Sequence, residues 1–241
     1  MKRWIFFLLI GLVGQVIGFE LPPSTKQCLL GVADDWNSSR VRLRWFERQG
    51  RKWVRHGEPW EARLGRDGLA WGRGLSPAMA GGKAKREGDW RSPAGVFLIG
   101  GVWGRFADVK RHPKLPYHRI TTRDLWVEDP ASPSYNRHLR LGHEPATYWE
   151  KKAQMKQDDP AHALKLFIAH NAEPDIVPAA GSSIFFHIWR SGGGKPTAGC
   201  TTMAEAELRR LITRIDPTKR PVYVLLPKAE YKQLRAAWKL P

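Results

Sequence analysis

A histidine and a cysteine of this 241-residue chain, His187 and Cys200, lie thirteen positions apart. Cysteine attacks as its thiolate and neutral imidazole can take the thiol proton, so the pair has the chemistry of covalent catalysis. The apolar run Ser183-Ile-Phe-Phe-His187 predicts a buried strand with the histidine at its end. The intervening Ser191-Gly-Gly-Gly194 lets the chain fold back toward that strand. Thr202-Met-Ala-Glu205 has the form of a capping box, and Leu208, Leu211, Ile212 and Ile215 follow at helical spacing. Cys200 is therefore expected two residues ahead of a helix N-terminus, where unpaired N–H groups favour a thiolate. The backbone N–H groups of Gly199 and Cys200 are the expected donors to an oxyanion.

Taken singly, each residue has a structural alternative, because a lone cysteine beside apolar sequence is commonly inert core and a histidine ending a strand is commonly a packed one. The combination of strand, histidine, glycine loop, Gly-Cys and helix points to catalysis. No HExxH occurs, and His112, His118, His138, His143 and His170 show no compact ligand spacing, which argues against a metal hydrolase. Papain-like peptidases place cysteine before histidine, the reverse of the order found here, although convergent sites can follow any order.

The segment resembles the YkuD-like L,D-transpeptidase catalytic domain. The usual family signature is a histidine followed further on by Ser/Thr-His-Gly-Cys, often with arginine two residues after the cysteine. This chain reads Thr197-Ala198-Gly199-Cys200-Thr201-Thr202, with alanine at the position of the second histidine and threonine at that of the arginine. It is similar to a divergent branch of the family in Lys85–Phe97, Val127–Asn136, His170-Asn171 and Gly181–His187. The resemblance runs from about Gln27 to the C-terminus. It implies a mainly β fold with a few short helices, a β-sandwich catalytic domain, with Cys200 as nucleophile and His187 as base. By implication Cys200 forms a thioester with a peptidoglycan stem peptide, and an acceptor amine resolves it without cofactor or metal. Hydrolysis of the same thioester, an L,D-carboxypeptidase activity, is the alternative, and a non-catalytic cell-wall-binding module is another. Arg190, three residues after the base, is the candidate to replace the missing arginine. Trp189, Thr197, His170 and Asn171 are the other expected substrate contacts.

Length allows one substantial core. Lys2 and Arg3 precede an apolar stretch, and Val16-Ile-Gly18 offers a cleavage site, so residues 1–18 read as a signal peptide for secretion across the inner membrane to the periplasm or cell envelope. An uncleaved anchor is the alternative. Residues 19–241 are the expected single domain, with an N-terminal β segment about 27–80 and a catalytic core about 81–227. The formal net charge of +17 becomes about +15 without Lys2 and Arg3. An exported basic surface meets anionic cell wall or membrane, and no nucleic-acid motif is visible. Cys28 and Cys200 are the two cysteines. A permanent bridge between them would consume the nucleophile, so Cys28 is expected in a buried strand. Further strands are expected near Val41–Glu47, Lys52–His56, Leu64–Leu75, Arg91–Ile99, Leu164–Ala169 and Pro221–Leu226. Helices are expected near Tyr148–Gln157 and Lys228–Trp238. Of the twelve tryptophans, Trp103, Trp126 and Trp189 are the ones that could wall a groove, with core packing the better expectation for each.

Overall fold

The computed structural model describes residues 18–78 and 82–241. The proposed leader therefore lies outside the described residues except for Gly18. Among the described residues are thirteen strands, β1 (Gln27–Ala33), β2 (Arg40–Gln49), β3 (Lys52–Arg55), β4 (Trp60–Arg63), β5 (Leu69–Trp71), β6 (Ser92–Gly104), β7 (Tyr117–Arg119), β8 (Asp124–Trp126), β9 (His138–Arg140), β10 (Leu164–Ile168), β11 (Phe185–Ile188), β12 (Thr201–Met203) and β13 (Val222–Pro227). Three short helices complete the set, α1 (Tyr148–Lys152), α2 (Glu205–Arg214) and α3 (Lys228–Leu234). The fold is mainly β.

Strand pairing runs β1-β13-β6-β10-β11-β12-β4-β2, and β2 pairs with β1 as well, so the circuit of eight strands closes. Closure removes the open edges that would otherwise need protection. β1 and β13 are apolar and buried along nearly their whole lengths, as befits neighbours covered on both faces. β2 instead alternates exposed arginines with buried Val41, Leu43 and Trp45, the pattern of a strand with one face in water. The main core contains Cys28, Phe97, Phe186 and Tyr223, and Leu208, Leu211, Ile212 and Ile215 of α2 and its C-cap pack into it.

A second, smaller apolar cluster unites Trp103, Ile120, Trp126, Met155 and Phe185, with Phe167 and Cys200 packed against it. Phe186 belongs to the main core while Phe185 belongs to this cluster. Successive side chains of a strand point to opposite faces, so Phe185 and His187 share the second face. The segment between β6 and β10 contributes Ile120, Trp126 and Met155 and covers this side of the sheet.

The expected capping box does not form. Thr201–Met203 is a strand parallel to β11, and α2 begins at Glu205 with Ala204 at its N-cap and no side-chain cap. Two β-branched threonines and a methionine are fully buried in the ladder, and their packing overrides a Thr-x-x-Glu pattern that is only locally helical. Cys200 thus precedes a strand, and the helix dipole is not what tunes its thiol. A capping box occurs elsewhere, between Thr147 and Glu150 at the start of α1, which covers only the first part of the expected Tyr148–Gln157 helix. α3 likewise ends at Leu234 rather than Trp238.

Candidate active site

β11 carries His187 and lies between β10 and β12, with Lys165 and Thr202 as the cross-strand neighbours of His187. Cys200 is the residue just before β12. The Phe185 N–H donates to its Sγ at 3.4 Å, and the thiol donates to the Ser183 carbonyl at 3.4 Å. His187 and Cys200 line one cleft of about 320 Å³, together with Thr197, Gly199, Lys165 and Arg190.

The imidazole of His187 is 3% exposed, and its Nδ1 lies 2.8 Å from the Ile188 carbonyl oxygen. A carbonyl can only accept, so a proton on Nδ1 satisfies this contact and leaves Nε2 its lone pair, with the Ala161 carbonyl a second acceptor beside the ring. Burial pulls the His187 pKa down to about 4, with the Ile188 carbonyl opposing that shift. Burial pushes the Cys200 thiol up, against the lowering effect of the Phe185 N–H and of Lys165. The resting pair is thus a neutral imidazole and a neutral thiol.

Gly199 has φ +145, and a Cβ there would lie 2.9 Å from the Arg91 carbonyl oxygen and 3.2 Å from Ile184. Only glycine fits this backbone. Thr197 fastens the turn: its hydroxyl donates to the Cys200 carbonyl at 2.7 Å and accepts from the Gly199 N–H at 3.0 Å. The Gly199 N–H is therefore engaged in the resting site, contrary to its expected role as an oxyanion donor. Ser92 braces the same turn, accepting from the Gly65 N–H at 2.9 Å and donating to the Gly199 carbonyl at 2.8 Å.

His170 and Asn171, expected at the substrate, are spent on structure. His170 is fully buried, with Nδ1 accepting from the Arg73 N–H at 3.1 Å and Nε2 3.0 Å from the Ala180 carbonyl oxygen. Asn171 donates to the Val177 and Gly181 carbonyls and accepts from the Val177 N–H, closing the loop that leads into β11. Neither lines the cleft. Trp189 is half-buried and packs beneath Gly193, where a Cβ would meet its ring at 2.8 Å, and it too is outside the lining. Trp103 and Trp126 are buried in the second cluster behind Phe185.

Arg190 reaches the cleft, but its Nε donates to Asp159 at 2.5 Å and a terminal nitrogen to His162 Nε2 at 2.9 Å. His162 stacks on His187 with ring centroids 4.7 Å apart. Burial holds the His162 pKa down to about 2, the positive field of His187 and Lys165 adding to it. An arginine does stand beside Thr202: Arg63 of β4 is its partner across the ladder, 6% exposed, and its Nε donates to the Gly193 carbonyl. Sequence reasoning also missed Asn136, whose side chain accepts from the Ser183 N–H at 2.9 Å and from Trp126 Nε1 at 2.9 Å while donating to the Asn171 carbonyl at 2.7 Å. Asn136 and Ser92 both fall within the stretches that carried the resemblance, which was the available signal. Cys28 is free and fully buried in the main core.

The model of the L,D-transpeptidase catalytic domain, YkuD, matches residues 36–224. The chain belongs to that family. A search of curated proteins gives no match. Among solved structures, the crystal structure of the helical cell shape determining protein Pgp2 from Campylobacter jejuni is similar at 12% identity and a TM-score of 0.36, covering 83% of this chain and 47% of that one. The chain thus spans about half the length of that relative. The L,D-transpeptidase domain accounts for most of the closed strand circuit and includes both His187 and Cys200.

Proposed function

We propose that this chain is an exported peptidoglycan L,D-transpeptidase in which Cys200 is the nucleophile and His187 the base. The observation that carries the reading is the shared cleft: His187 and Cys200 line it together, with the Ile188 carbonyl 2.8 Å from Nδ1 of the imidazole. Family membership supports a peptidoglycan substrate and hence a location in the cell envelope. No helix of the described residues is long and apolar enough to cross a membrane.

In the first half-reaction Nε2 of His187 takes the thiol proton as Sγ bonds to the peptide carbonyl carbon of a stem peptide. Negative charge gathers on the carbonyl oxygen. The Cys200 N–H is the donor available to it, the Gly199 N–H being held by Thr197. The C–N bond then breaks, the imidazolium gives its proton to the departing amine of the terminal D-residue, and a thioester remains. In the second half-reaction an acceptor amine attacks the thioester, loses a proton to His187, and the thiol leaves with that proton. Water in place of the amine gives an L,D-carboxypeptidase. The cleft chemistry is common to both, and family membership favours the amine.

Incubating the purified chain with a stem tetrapeptide and resolving products by mass spectrometry tests the reading. Cross-linked dimer with released D-amino acid supports it, tripeptide alone assigns the carboxypeptidase, and unchanged tetrapeptide refutes both.

A further inference from the structure

The cleft holds two buried lysines that differ in one respect. The side chain of Lys85 is 3% exposed and is fully compensated, with Nζ 2.5 Å from Asp89 and 2.8 Å from the Arg86 carbonyl. Lys165 is 6% exposed, and the only hydrogen bond its Nζ makes among the described residues is to the Met155 carbonyl at 3.3 Å. No carboxylate of the described residues lies within ion-pair distance of it. Its ammonium lies 5.8 Å from the centroid of the Phe185 ring, and it stands directly across the ladder from His187. Burying a cation without an anion is costly, and a fold bears that cost where an anion arrives later.

We propose that Lys165 is the counter-ion of the Cys200 thiolate, an electrostatic partner that favours the anion as His187 removes its proton. Lys165 and Cys200 line the same cleft, and Phe185 contacts both, with its ring toward the ammonium and its N–H on the sulfur. Burial draws the Lys165 pKa down to about 8, and Cys200 and Glu128 pull it back up. The same cation lowers the pKa of Cys200, His162 and His187, so these three and Glu128 are the titrating groups within its field. The cation favours the thiolate and opposes the imidazolium, so its help to the proton transfer is exerted at the sulfur.

The proposal rests on Cys200 being the nucleophile, and alkylation of the thiol reads it without any peptide turnover. The rate of Cys200 alkylation is followed against pH with neutral iodoacetamide and with anionic iodoacetate, in about 1 M salt, where the Debye length is about 3 Å and surface charge is screened. The wild-type site is expected to favour iodoacetate relative to the same thiol in a short peptide. Lys165→Met is expected to raise the apparent thiol pKa by about one to three units, the usual effect of removing a nearby opposite charge. It should abolish the preference for iodoacetate and raise Tm, because an uncompensated charge gives way to an apolar side chain. Equal thiol pKa and equal reagent preference in the two proteins overturn the proposal and leave Cys200 as nucleophile. A Lys165→Met chain that is less stable or fails to fold contradicts the uncompensated-charge argument. Wild-type Cys200 that resists both reagents overturns the nucleophile reading and the proposal together.

Discussion

Lowering the pH from 7 to 5 should remove a large share of this protein's stability, because His170 and His187 are buried, and His162 is largely desolvated, in neutral form. Burial is the main cause at each, and their pKa values fall to about 2 for His162, about 3 for His170 and about 4 for His187. A group whose folded pKa lies below its unfolded value binds its proton preferentially in the unfolded chain. Stability is then complete above the unfolded value, near 6.5, and is lost as pH falls from there toward the folded one. At pH 5 each histidine is about 1.5 units below 6.5, which costs about 2 kcal/mol at 1.36 kcal/mol per unit, or about 6 kcal/mol for the three. The result requires only that the folded values lie below 5. Domains of this kind are stable by about 5–15 kcal/mol, so the loss is a large share of the total. Glu150, lowered to about 2 chiefly by backbone N–H groups of Thr147 and Ala146, acts in the opposite sense, contributing above its unfolded value and losing that contribution below about 4.5, outside this interval. Guanidinium unfolding at pH 7 and pH 5 measures the difference. His170→Gln should lower stability at pH 7 by about 1–3 kcal/mol through lost hydrogen bonds to Arg73 and Ala180. It should also shrink the difference between the two pH values by about 2 kcal/mol. A wild-type difference under about 2 kcal/mol would show that these histidines are not held neutral by burial.

Gly199→Ala should abolish activity and destabilise the chain, since the new methyl group meets the Arg91 carbonyl at 2.9 Å; kinetics and thermal melting check both halves. Thr197→Val removes the hydroxyl that bridges Gly199 and Cys200 and should lower kcat while leaving KM nearly unchanged, because it frees the Cys200 turn while keeping a side chain of the same shape in the cleft lining. Arg190→Ala releases Asp159 and His162 and should raise KM more than it lowers kcat; unchanged kinetics would limit the arginine to its ion pair with Asp159.

Apolar runs made most of the central strands legible, β10, β11 and β13 among them, because strands covered on both faces carry their burial in composition. The strand after Cys200 was not legible. Thr202-Met-Ala-Glu205 satisfies a local helix-start pattern, and only pairing with β11 and β4 decides that its first residues are extended. Lys165 was hidden for a related reason. A lysine between Leu164 and Leu166 carries no local sign of burial, and it is the segment from Phe106 to Ala163, folded over that face, that covers it. His187 and Cys200 could be singled out because their chemistry and spacing are local, whereas the placing of Phe185 against the Cys200 sulfur and of Lys165 beside His187 depends on segments brought together by the sheet. His170 and Asn171 show the converse: polar residues in a resembling stretch shape the chain that enters β11 rather than the cleft itself.

Acyl transfer through Cys200 is covalent, so intact-protein mass spectrometry tests it most directly. The chain is mixed with a stem tetrapeptide whose amines are acetylated so that no acceptor is present, quenched in acid and weighed, and the modified residue is mapped by fragmentation. A mass increase equal to the tripeptidyl acyl group is expected, placed on Cys200, absent in Cys200→Ala and strongly reduced in His187→Ala. Turnover of tetrapeptide by Cys200→Ala, or an acyl group carried on any other residue, would contradict it.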